Sequence, residues 1–134
     1  EVKRAVLCSG KVYYDLLQAR RDAGVKDVAI VRMEQLHPFP KEGLGNALAP
    51  YTSAEVVWCQ EEPENMGAWE FVRPLLEQLI DGRWPLRYLG RVRNSSPSEG
   101  SANWHAVNQR AIVEQAFEQN AASKDADRVL SRQV

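Results

Sequence analysis

A chain of 134 residues has the length of one domain with one hydrophobic core. Its 44% hydrophobic and 26% charged residues exclude a disordered chain, and 17 basic against 18 acidic residues argue against nucleic acid or a membrane surface as partner. No apolar run approaches the roughly 18 residues that span a bilayer, and no secretory signal opens the chain. The first residues are Glu1-Val2-Lys3 rather than Met, as expected of a fragment or a processed product.

Ala5-Val6-Leu7-Cys8 is a short continuous apolar run, the pattern of a strand buried on both faces. Gly10 breaks it. Val12, Leu16, Ala19 and Ala23 then recur at helical spacing, with Gly24 as the expected C-cap and, if the segment before the helix is a plain turn, Ser9 as the N-cap. A second buried strand is expected over 27–33, "DVAIVRM", followed by a proline-rich turn that forbids a helix before Pro40. Leu44, Ala47, Leu48 and Tyr51 repeat helically despite Gly43 and Gly45. Val56-Val57-Trp58-Cys59 reads as the third strand, with an acidic loop over 61–67 behind it.

Trp69, Val72, Leu76 and Leu79 line the next helix, where Pro74 is expected to impose a kink or a restart. Leu86–Leu89 reads as a fourth strand. A polar loop leads to a last helix over 104–117, with Val107, Ala111 and Phe117 near one face. Residues 118–134 read as a polar tail or a loosely docked helix. Strands alternating with helices imply a three-layer α/β/α fold with a mostly parallel sheet. Ligands of such sheets bind outside the carboxyl ends of the strands, which gathers the segments 9–11, 32–40 and 61–67 on one edge.

Ser9-Gly10-Lys11, between a strand and a helix, invites comparison with a phosphate-binding P-loop. That motif requires G-x-x-x-x-G-K-S/T; here a single glycine precedes Lys11 and Val12 takes the hydroxyl position. Two readings remain: an anion site at a helix N-terminus with a lysine beside it, or a plain turn. In "CQEEPENMGAWEF", Glu61 and Glu62 suit acid–base work, a metal or a partner's basic group, against a simple solvated acidic turn. His37 and His105 are isolated in sequence and read as structural or surface residues. Arg87, Arg91 and Arg93 alternate along a strand and its exit, as an anion-binding set or as the decoration of an edge strand. Cys8 and Cys59 sit in apolar runs without metal-ligand spacing, as buried free thiols do.

Four stretches in order, "LCSGKVYYDL", "VAIVRMEQLHPFP", "WCQEEPENMGAW" and "RYLGRVRNSSPSEGSANWHAVNQRAIVEQAF", resemble the C-terminal part of the E1 component of 2-oxoglutarate dehydrogenase. The likeness runs from Arg4 to Phe117; the 2-oxoadipate dehydrogenases share much of it. It implies a transketolase-like C-terminal domain over 1–117 in an enzyme that uses thiamine diphosphate and Mg²⁺. That enzyme passes a succinyl group to the lipoyl arm of an E2 partner, in the bacterial cytoplasm or the mitochondrial matrix. The family's G-D-G metal motif is missing, since Asp81-Gly82 is the only Asp-Gly pair. The segment is therefore expected to bind no cofactor alone and to carry no catalytic or metal-ligating residue.

The resemblance further implies partners: the other domains of the same chain, a second E1 subunit, and a nucleotide-type effector, acetyl-CoA or AMP. Ser9, Lys11 and Arg32, with Arg91 and Arg93, are the effector-binding candidates. Glu61, Glu62, Asn65 and Trp69 are the candidates for packing against a neighbouring domain or the dimer partner. Two rival readings belong to other classes: an independent module binding a nucleotide or CoA, and a hydrolase using Glu61 or Glu62.

Overall fold

The computed structural model describes residues 1–93 and 102–118, with the backbone alone for 102–104. Four parallel strands alternate with four helices: β1 (Arg4–Cys8), α1 (Val12–Ala23), β2 (Val28–Arg32), α2 (Lys41–Leu48), β3 (Glu55–Pro63), α3 (Trp69–Ile80), β4 (Leu86–Arg91) and α4 (Ala102–Phe117). The sheet order is β2-β1-β3-β4, with Cys8 level with Arg32 on one side and Cys59 on the other. Every strand on the sequence map is present, and the expected layering holds.

Strand alternation builds two cores. Ala5, Leu7, Val56 and Trp58 face Leu44, Leu48, Val72 and Leu76 of α2 and α3. Val6, Cys8, Val57, Cys59 and Leu89 face Val12, Leu16, Ile112 and Ala116 of α1 and α4. A right-handed crossover from β1 to β2 puts α1 on one face, and the reversed direction from β2 to β3 puts α2 on the other. The order of the strands thus reverses between β1 and β3. Their carboxyl ends form the switch point of the sheet, where an open α/β fold leaves a crevice.

Four local expectations change. Ser9 does not cap α1: Gly10 takes φ 81°, in the left-handed region that glycine alone enters without penalty, so the chain turns and Lys11 becomes the N-cap. Gly24 closes α1 in the left-handed conformation, as its position suggested. Strand β3 runs four residues past the apolar run, through Pro63, because β4 also extends and pairs Arg91 with Pro63. Glu61 and Glu62 therefore stand on a strand rather than in a loop. Helix α3 does not restart at Pro74 and runs through it as one element; the bond Pro74 cannot donate would have gone to the carbonyl of Glu70, and both residues are exposed.

The fourth change concerns α4, whose inner face is Ile112, Gln115 and Ala116, while Val107 is 50% exposed. A glutamine on the buried side hides the helical period that the sequence would otherwise display. The expected polar tail or loosely docked helix over 118–134 lies outside the described residues from 119 onward.

Cys8 and Cys59 are free and fully buried on neighbouring strands. Burial pushes the Cys8 thiol up to about 12 and raises Cys59 still further, against an ordinary value near 9. At pH 8 the folded chain is expected to leave a disulfide reagent unreacted, with both thiols titrating once denaturant is added. Stability should be undiminished below pH 9 and fall as pH climbs from 9 towards 12, because the unfolded thiols ionise first. Rapid reaction of either thiol in the native state would contradict the burial of this strand pair.

Candidate functional site at the carboxyl edge of the sheet

Strand β1 delivers Ser9, Gly10 and Lys11 to the switch point, and β3 delivers Glu61 opposite them. Odd-numbered residues of β3 face α1 and α4, so Glu61 points to the same side as Val57 and Cys59. Its carboxylate takes the Lys11 ammonium at 3.3 Å and the Gln109 side-chain amide of α4 at 2.7 Å. The same amide nitrogen donates to Asp15 of α1 at 3.0 Å. One glutamine thus gathers two carboxylates from different elements and ties α4 to both.

The crevice is bridged by Lys11–Glu61, and the bridge is weak. Lys11 is 73% exposed, and an ion pair with so wet a partner is worth about 0–1 kcal/mol. An anion arriving at the N-terminus of α1 would compete with Glu61 for the lysine on near-equal terms.

Arg32, the last residue of β2, reaches over α1. Its guanidinium lies 5.3 Å from the Tyr13 ring centre and 5.2 Å from that of Tyr14. It also donates to the Tyr14 hydroxyl at 3.2 Å and pairs with Glu34 at 3.8 Å. Ser9, Lys11 and Arg32 therefore share one end of β1 and β2. Arg91 and Arg93 do not share a direction: Arg91 meets His105 Nδ1 on α4 at 3.0 Å, while Arg93 crosses to Glu70 on α3 at 3.3 Å. Arg87, read as part of the same array, sits at the opposite end of β4 beside Glu55.

The acidic motif is organised by a residue that sequence reading passed over. Gln60 is 3% exposed on the α2/α3 face. Its Oε1 accepts from Trp58 Nε1 at 2.9 Å and from the Trp69 backbone N–H at 3.0 Å, at the first residue of α3. Its Nε2 is shared among the carbonyls of Glu62, Pro63 and Met66, at 3.1, 2.9 and 2.8 Å. The amide closes the turn that links β3 to α3 and caps that helix from inside the protein. A buried glutamine between an apolar run and two acids leaves no periodic trace. The two flanking tryptophans, both needing polar partners or burial, were the available hint.

Trp69 belongs to the core of this domain, 5% exposed, with the Tyr88 ring 5.3 Å away and Arg73 over its face at 5.8 Å. Burial raises the Tyr88 phenol well above its ordinary value, which keeps it protonated as the donor to the Arg91 carbonyl at 2.8 Å. Glu62 turns outward, and Asn65 is half-buried in the turn. Among the described residues no three His, Cys, Asp or Glu side chains converge as a metal site. No helix among them is long and apolar enough to cross a membrane.

Comparison with known proteins agrees with this architecture. Residues 1–117 match the family model for the C-terminal region of 2-oxoglutarate dehydrogenase. The 2-oxoglutarate dehydrogenase E1 components of Brucella anthropi and Brucella ovis are each 48% identical over 121 residues, covering 87% of this chain. The chain spans 12% of the length of these relatives. A solved chain described as a split gene transketolase, inactive beta4 tetramer, superposes with a TM-score of 0.55 at 18% identity, over 87% of this chain and 40% of that one. That likeness carries the fold. The chain belongs to the 2-oxoglutarate dehydrogenase C-terminal family.

Proposed function

We propose that this chain serves a 2-oxoglutarate dehydrogenase E1 component as its non-catalytic C-terminal domain, packing against the other domains of the enzyme and supporting its dimer. The parent enzyme would use thiamine diphosphate and Mg²⁺ to decarboxylate 2-oxoglutarate and pass the succinyl group to a lipoyl-bearing E2. The observation that carries this reading is the family match over 1–117. The chemistry of the carboxyl edge supports the non-catalytic part. Its charged groups are held by neighbouring side chains: Glu61 by Lys11 and Gln109, Arg32 by Tyr14 and Glu34. Asp15 and Glu61 share the Gln109 amide as donor, and among the described residues no three His, Cys, Asp or Glu side chains converge. These groups do not fit a Mg²⁺-diphosphate, and no catalytic step is assigned to them.

The isolated chain, supplied with 2-oxoglutarate, thiamine diphosphate and Mg²⁺, is expected to release no carbon dioxide above background. Turnover by the chain alone would overturn the reading. In the same proposal Glu62 and the 45% exposed Phe71 face the neighbouring domain, and Trp69 and Asn65 hold the turn behind them.

Effector binding is proposed for Ser9, Lys11 and Arg32. The weak Lys11–Glu61 bridge at the switch point supports it, since an acyl-CoA or nucleotide phosphate could take the lysine from Glu61. Arg91 would contribute through His105 and α4, and Arg93 from the α3 side. Calorimetry with acetyl-CoA and AMP on the wild-type chain and Lys11→Ala checks this; heat lost in the variant is the expected result.

A further inference from the structure

Helix α3 ends on Asp81-Gly82, the only Asp-Gly pair of a sequence that holds no Asn-Gly. Asp81 takes φ 46° and ψ 46°, and Gly82 takes φ 76°. Two consecutive left-handed residues make the turn out of α3, a conformation free to the glycine and disfavoured for the aspartate. Both residues are exposed. The turn is held by the groups on either side of them. The Asp81 N–H donates to the Glu77 carbonyl at 2.9 Å and the Arg83 N–H to that of Ile80 at 2.9 Å, while the Arg83 guanidinium donates to the carbonyls of Leu79 and Ile80 at 2.6 and 3.2 Å. Among the described residues the Asp81 carboxylate has no hydrogen bond or ion pair, and the Gly82 N–H donates to nothing. A spare carboxyl group thus stands beside a spare amide nitrogen.

We propose that Asp81-Gly82 is a self-modification site, where the Asp81 carboxyl closes on the Gly82 nitrogen and reopens as an isoaspartate, a substrate for a repair methyltransferase using S-adenosylmethionine. The nitrogen attacks Cγ and an N–Cγ bond forms. The hydroxyl of the protonated acid and the amide hydrogen leave together as water, which completes a succinimide ring. Water then adds to one of the two ring carbonyls. Addition at Cγ breaks the new bond and restores aspartate. Addition at the main-chain carbonyl breaks its bond to the Gly82 nitrogen and sends the chain through Cβ and Cγ. Three features favour closure here. The nitrogen is unshielded, because Gly82 has no side chain and nothing lies within 4 Å of where its Cβ would stand. The rotation about ψ that brings Cγ to the nitrogen leaves a disfavoured backbone well. The ring also removes a negative charge from the negative end of α3. Conversion lengthens the backbone by one carbon just ahead of Trp84, whose indole N–H is held by the Tyr51 carbonyl at 2.7 Å.

Prolonged warm incubation of the folded chain at pH 7 tests the proposal. Cleavage after Glu77 and Arg83 isolates the peptide Gln78–Arg83, and an isoaspartate methyltransferase with radiolabelled S-adenosylmethionine then reads the product. Label in this peptide is expected to grow with incubation time. It is expected to be lost in Asp81→Glu, whose longer side chain closes the ring poorly. A synthetic peptide of the same six residues, incubated in parallel, gives the rate without the fold. Label in the synthetic peptide alone would overturn the proposal, because the native turn would then hold the carboxyl and the nitrogen apart. Label in neither, or equal label in Asp81→Glu, would overturn it as well. Unchanged circular dichroism of Asp81→Glu confirms that the two folded chains are compared in the same state.

Discussion

Replacing Gln60 with leucine is expected to destabilise the domain by about 4 kcal/mol, because an apolar side chain, one heavy atom smaller, leaves every polar partner of the amide unpaired. The substitution strands the indole N–H of Trp58, the N–H at the start of α3 and the carbonyls of Glu62, Pro63 and Met66. Most of these are buried, and a buried group deprived of its partner costs about 1–3 kcal/mol. Relaxation of the turn, which lies near the surface at Glu62, recovers part of the sum. Gln60→Glu separates the two halves of the amide. A carboxylate keeps the acceptor for Trp58 and Trp69 but turns a negative oxygen on three carbonyls, so it should be at least as damaging at neutral pH and milder in acid. Urea unfolding of the three proteins at pH 5 and pH 8 gives the comparison. A loss under 1 kcal/mol for Gln60→Leu would mean that water enters the turn and that the amide does not organise it.

This turn also marks where sequence reading stops. The four strands were legible because each carries a continuous apolar run, and continuity is what burial between two helical layers imposes. Helices α1 and α3 were legible from their apolar stripes, and Gly24 from its place at the end of one. What escaped was every element built on polar groups facing inward. Gln60, Glu61 and Glu62 extend β3 beyond its apolar part, yet they look like a loop. Gln109 and Gln115 sit on the packed side of α4, which pushed the expected inner face to Val107. The candidate site was half legible for a topological reason. Ser9, Lys11 and Arg32 could be placed at the carboxyl edge from the alternation of elements alone. Their bridging partner Glu61 depends on β1 and β3 being neighbours, which only the strand order reveals. The missed residues contribute through tertiary partners, and a single chain of letters does not record those.

The second large effect is expected at the other end of the sheet. Arg4 is 3% exposed, a full charge at the first position of β1. Its Nε donates to Glu55 Oε1 on β3 at 2.5 Å, and its Nη1 donates to the carbonyls of Gln115 and Ala116 at 3.2 and 2.8 Å. One side chain therefore stitches two strands together and satisfies the last turn of α4, whose carbonyls have no partner within the helix. The positive charge also meets the negative end of that helix. Arg4→Met keeps most of the aliphatic length and removes all of this, leaving Glu55 to Arg87 alone, at 3.5 Å. Breaking a buried ion pair from one side costs about 3–5 kcal/mol, and a loss of that size is expected in denaturant unfolding. Glu55→Gln should cost less, since an amide oxygen still accepts from Arg4 and the carbonyl bonds remain. The two losses should not add, because removing Arg4 already abolishes its pair with Glu55. Hydrogen exchange distinguishes the two roles: amides of α4 should open in Arg4→Met and remain protected in Glu55→Gln. Protection of α4 in both variants would show that Ile112 and Ala116 hold the helix without the arginine, and that its charge serves the strand pair only.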